Sequence, residues 1–89
     1  MYAVFSSVEI LPETSEKTAI RFLNDELVPM LKQAPGFVKG TWFGNDREGH
    51  GVVLYDTEEQ AKQGLQVIGF EPGGVKVTSS EVYRLHGEA

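Results

Sequence analysis

An α+β domain with the element order β-α-β-β-α-β is what this sequence predicts, and three observations predict it. Apolar residues recur at helical spacing through Ile20, Leu23, Leu27, Met30, Leu31 and Ala34. Two runs rich in β-formers follow, separated by the turn-forming stretch Asp46-Arg47-Glu48-Gly49. A capped second helical segment then separates this hairpin from a last β-rich run. The 89 residues suffice for one domain, residues 1–89, built on one core.

The first strand is expected over residues 2–10, bounded by Pro12, with Val4, Val8 and Ile10 on one face and Ala3 and Phe5 on the other. Thr14 or Ser15 supplies the N-cap of the first helix. Pro29 falls inside the helical stripe. It removes a backbone donor and crowds the preceding turn, which predicts a kink between Asp25 and Val28. Ala34-Pro35-Gly36 ends the helix. Strands over 37–45 and 50–56 form the hairpin, and Thr57-Glu58-Glu59-Gln60 reads as a capping box. The second helix runs to about residue 67 with Ala61, Leu65 and Ile68 on one side. A loop is expected over 69–74 and a long strand over 75–85, with Val75, Val77 and Tyr83 on one face.

This order points to a ferredoxin-like sandwich, a four-stranded antiparallel sheet with two helices on one face. If residues 46–49 form the turn, Phe43 faces Val52 and Thr41 faces Leu54. Trp42 then faces Val53, Gly40 faces Tyr55, and Lys39 meets Asp56 as an ion pair. One side of the hairpin therefore holds Phe37, Thr41, Phe43, Val52 and Leu54. The other holds Val38, Trp42, Val53 and Tyr55, with Gly40, Gly44 and Gly51 between them. Both sides are apolar and helices cover only one, so the pattern predicts a homodimer through the remaining sheet face. A chain this short buries only about two thirds of its unfolded surface, which adds to the benefit of a partner.

Composition narrows the function classes. A net charge of −5 argues against nucleic acid as a partner. No apolar run approaches the ~20 residues needed to span a bilayer, and the N-terminus lacks the pattern of a signal peptide. The absence of cysteine excludes disulfides, thiolate metal sites and thiol catalysis. A cytoplasmic protein with no cofactor and no metal site is expected. The stretch Glu48-Gly49-His50-Gly51-Val52-Val53-Leu54-Tyr55 shares its glycines, Val53 and Tyr55 with the central-strand motif of RNA-recognition domains. Acidic Glu48 replaces its basic residue, and His50 and Val52 stand where its stacking aromatics belong, against RNA binding.

The candidate ligand-pocket residues are Trp42, Tyr55, His50, Ser6 and Tyr83. Gly40, Gly44 and Gly51 leave space beside Trp42 and Tyr55, forming either an aromatic-walled pocket for a flat apolar ligand or close packing at a dimer interface. His50 is a candidate general base with no carboxylate fixed beside it by spacing. Ser6 and Ser7 can place hydroxyls in a cavity. Two isolated histidines, His50 and His86, make no metal-ligand pattern.

The segments Val28-Pro29-Met30-Leu31, Ala34-Pro35-Gly36-Phe37-Val38-Lys39-Gly40 and Val53-Leu54-Tyr55-Asp56-Thr57-Glu58-Glu59-Gln60-Ala61 resemble those of the dimeric α+β barrel superfamily, within it the antibiotic-biosynthesis-monooxygenase (ABM)-like domains. The resemblance covers nearly the whole layout and implies two domains packed sheet against sheet. It also implies, in some members, cofactor-independent oxygenation of aromatic compounds. The chain departs from the family at Tyr55, where many members have Trp, near Gly64, where they have His, and at Ser6 and Ser7, where the haem-degrading branch has Asn. No haem site is carried over. Two functions stay open: a cofactor-independent monooxygenase acting on a small aromatic or apolar compound, and a non-catalytic dimeric domain that binds a small ligand or a protein.

Overall fold

A computed structural model describes residues 1–68 and 75–89, the side chains of residues 67 and 68 excepted. Its elements are β1 (Tyr2–Ile10), α1 (Glu16–Phe22), a π-helical turn (Leu23–Leu27), α2 (Val28–Lys32), β2 (Phe37–Gly44), β3 (Glu48–Tyr55), α3 (Glu58–Ile68) and β4 (Val75–Arg84). The four strands form one antiparallel sheet in the order β2-β3-β1-β4. This α+β architecture is compatible with a ferredoxin-like fold. The expected loop over 69–74 and the expected placement of the Ile68 side chain lie outside the described residues.

Local chemistry accounts for the helices. Ser15 caps α1, its hydroxyl accepting from the Thr18 N–H at 3.2 Å. The kink expected from Pro29 takes the form of the π turn immediately before it. The Val28 N–H reaches back to the Leu23 carbonyl, and the wider turn accommodates a proline that cannot donate. Gly36 (φ 78°) turns the chain into β2 in a conformation that disfavours a side chain. At α3 the capping box is reciprocal. Gln60 N–H donates to the Thr57 hydroxyl, and Thr57 N–H donates to Gln60 Oε1, both at 3.2 Å.

Both helical segments pack on one face of the sheet. Leu31 from α2 and Ala61 from α3 join Val4, Val53 and Tyr55 in a fully buried cluster, flanked by Tyr2, Leu27, Phe37, Trp42, Leu65 and Val82. Period-two alternation in β1 puts Ala3, Phe5 and Ser7 on the opposite face, as expected. That face also carries Val52 and Leu54, and it exposes Phe43 (53%) and Tyr83 (54%).

The hairpin register differs from the sequence-based expectation. Asn45 Oδ1 accepts from the N–H groups of Arg47 and Glu48 at 2.9 and 3.0 Å, and Asn45 N–H donates to the Glu48 carbonyl. This Asx-type closure makes the connection shorter than residues 46–49. Phe43 therefore faces His50, Thr41 faces Val52, Trp42 faces Gly51 and Gly40 faces Val53. The slip is by two positions, so each of these residues keeps its face.

Two irregularities do change faces. A bulge between Phe37 and Lys39 leaves Val38 as the extra residue. Phe37 thereby joins Tyr55 on the core face rather than Phe43, and Val38 is exposed rather than packed beside Trp42. Lys39 lies opposite Leu54, so the expected pair with Asp56 does not form; the Asp56 N–H bonds the Gly36 carbonyl instead. A second shift, opposite Ser7 and Val8, skips Thr78. It puts Tyr83 beside Ala3, on the face away from Val75 and Val77.

Candidate functional site

A cavity of about 470 Å³ separates α1 and the π turn from the sheet. Its helical wall comprises Glu16, Ala19, Ile20, Leu23 and Leu27, and its sheet wall comprises Val8, Ile10, Trp42, Val53, Val75 and Val77. The volume suits a small organic ligand, and the lining is mostly apolar.

The floor is a cross-strand row. Pairing aligns Ser80 on β4, Ser6 on β1, Gly51 on β3 and Trp42 on β2, all on the helix-facing side. Ser6 is buried, and its oxygen accepts from the Ser80 hydroxyl at 3.0 Å. The indole of Trp42 lies flat along β2 and β3. A Cβ on Gly51 would stand 2.6 Å from Trp42 Cδ1, and a Cβ on Gly40 would overlap the far ring of the same indole. The glycines flanking Trp42 thus make room for its ring, and the ring in turn forms the cavity wall.

Of the five candidate pocket residues, the structure brings together Trp42 and Ser6 in this cavity. Tyr55 shares their face but belongs to the closed core beside α3. Its hydroxyl is buried against Gly64 and has no hydrogen-bond partner among the described residues. Burial raises the Tyr55 pKa above its ordinary value of 10.0. His50 borders the cavity through β3, yet its ring lies on the other side of the sheet. There it stacks between Phe5 and Phe43, with ring centroids at 6.0 and 5.7 Å. It shares a 2.9 Å hydrogen bond with the Ser7 hydroxyl, and Glu48 Oε1 is 3.6 Å from its Nε2. Tyr83 is exposed on that same outer face.

The helical wall of the cavity was not foreseen as a binding surface. The stripe through Ile20, Leu23 and Leu27 reads as an ordinary core-facing helix, and only the standoff between α1 and the sheet makes it a wall. The Phe5–His50–Phe43 stack was likewise not foreseen, because it needs the pairing of β1 with β3. No metal-ligating cluster of three or more His, Cys, Asp or Glu side chains occurs among the described residues, and no helix there is long and apolar enough to cross a membrane.

Fold and site define a small α+β domain with an apolar, ligand-sized cavity between its first helix and its sheet. No protein-family model matches the chain, and no curated protein matches it as a relative.

Proposed function

We propose that this chain is an ABM-like domain that binds a small, flat, apolar compound in the cavity between α1 and the sheet. The observation that carries the reading is the wall formed by Trp42, lying over Gly40 and Gly51 and facing apolar residues of the helix. Such a surface favours a planar ring, which gains dispersion contact against the indole and loses little conformational freedom. In this reading two copies pack through the outer sheet face, where Phe43 and Tyr83 are exposed, into a dimeric α+β barrel, and the protein works in the cytoplasm.

The resemblance supports cofactor-independent monooxygenation as the chemistry. A bound electron-rich compound would itself pass electrons to oxygen, and the cavity would hold it in place and limit water. The second reading is binding without turnover. It is favoured by the position of His50, whose ring is stacked on the far side of the sheet, and of Tyr55, whose hydroxyl is sealed against α3.

Oxygen uptake with a panel of hydroquinone-like aromatic compounds separates the two. Compound-dependent uptake that Trp42→Phe reduces supports oxygenation. Saturable binding of the same compounds without uptake supports the binding role. Absence of both rejects the cavity as a ligand site.

A further inference from the structure

We propose that the cavity selects neutral ligands carrying a carbonyl-type acceptor, that it rejects anions, and that Ser6 is the residue recognising the acceptor. The inference rests on the cavity being a ligand site and adds the chemical class of what enters it.

Charge is the first argument. Glu16 on the helical wall lines the cavity, whereas the Glu48 carboxylate lies beside the His50 ring on the other side of the sheet. Neither Lys nor Arg lines it among the described residues, and residues 67–74 contain neither in sequence. An anionic ligand entering this space would leave water, meet the Glu16 carboxylate and find no cation to offset it. A neutral molecule meets no such cost.

Hydrogen bonding is the second. Ser6 is nine-tenths buried, lines the cavity and accepts from Ser80, so its own proton remains to be donated. Among the described residues no acceptor takes it. Gly51, the residue across from Ser6, has no side chain to cover the hydroxyl, and the Trp42 ring lies just beyond. A flat ring against Trp42 with an oxygen directed toward β1 would satisfy the donor and the aromatic wall together. A ligand with no acceptor would bury that hydroxyl unpaired.

Three probes of one shape test this: 2-acetonaphthone (neutral, with a carbonyl), 2-naphthoate (anionic) and 2-ethylnaphthalene (no acceptor). Binding is followed by NMR through the indole N–H of Trp42, the chain's single tryptophan. The ketone is expected to bind at least about tenfold more tightly than the carboxylate. Glu16→Gln should narrow that difference by about threefold. Ser6→Ala should weaken the ketone by about three- to tenfold and leave 2-ethylnaphthalene unchanged. Urea unfolding of each variant checks that the fold is retained, and Ser6→Cys, with its weak donor, gives a second comparison of similar size. Equal binding of carboxylate and ketone by the wild type overturns the charge argument, and equal loss of both neutral probes on Ser6→Ala overturns the role of Ser6. Silence of the indole signal toward all three refutes the cavity reading itself.

Discussion

The phenolic oxygen of Tyr55 occupies the volume in which a side chain on Gly64 would begin: a Cβ built there would overlap the hydroxyl and stand 2.9 Å from Cε2 of the ring. Tyr55 ends β3 and Gly64 lies midway along α3, so the contact sets how closely that helix approaches the sheet. The pair forms one packing solution, a tall phenol beneath a residue without a side chain. Gly64→Ala should destabilise the protein by about 1–3 kcal/mol through overpacking. Tyr55→Leu should reduce that cost in the double variant, because it removes the oxygen and also the ring carbons Cζ and Cε2 that the methyl group would overlap. A double-mutant cycle in urea measures the coupling, and additive effects would show that the two residues are not in conflict.

The same hydroxyl makes stability depend on alkaline pH. Desolvation raises the Tyr55 pKa above 10.0, so the folded state holds the phenolic proton after the unfolded state has released it. Above the unfolded value the folded chain binds more protons, and stability falls as pH rises. The contribution is fully present below about pH 10 and is lost progressively toward the raised folded value, with a limiting slope of about 1.4 kcal/mol per pH unit. Tyr55→Phe should remove this component. Urea midpoints of both proteins between pH 8 and pH 11.5 provide the check, and parallel curves would contradict the assignment.

What the sequence made legible was set by how locally each feature is determined. The Ser15 cap, the Thr57–Gln60 box and the disruption before Pro29 each depend on a few neighbouring residues, and all three are present. The bounds of β1 follow from Pro12 and a dense β-forming run. Bulges at Val38 and Thr78 carry no comparable local mark, and each moves an aromatic residue, Phe37 or Tyr83, to the other face. The hairpin slip came from one side chain, Asn45, closing the turn early. In the candidate site, the association of Trp42 with Gly40 and Gly51 could be read from alternation within the hairpin. The distance between α1 and the sheet could not, because it depends on how the π turn and α2 place the whole helix.

The outer sheet face gives a prediction about assembly. Phe43 is more than half exposed, and it extends an apolar surface that includes Phe5 and Val52. Light scattering at micromolar concentration should return twice the chain mass of 9.8 kDa. Phe43→Glu should return the chain mass itself, because a carboxylate on this face is costly to bury in a sheet-to-sheet interface. Loss of fold is not expected, since the residue is exposed within one chain. A wild-type monomer would rule out the dimer reading, and a dimeric Phe43→Glu would move the interface elsewhere.

Gly51 offers the sharpest test of the cavity wall, because the three atoms nearest to where its side chain would stand all belong to Trp42. A methyl group there would lie 2.6 Å from Cδ1 and 2.7 Å from Nε1 of the indole, closer than packed atoms can remain. The ring must then tilt off the sheet, toward the cavity it walls. Gly51→Ala should therefore cost about 1–3 kcal/mol of stability, shift the fluorescence maximum of Trp42, and weaken binding of flat aromatic ligands by about tenfold or more. Gly51→Ala should cost far less stability in a Trp42→Ala background, since no ring then meets the methyl group. Unchanged ligand binding in a folded Gly51→Ala protein would mean that the compounds bind away from this wall.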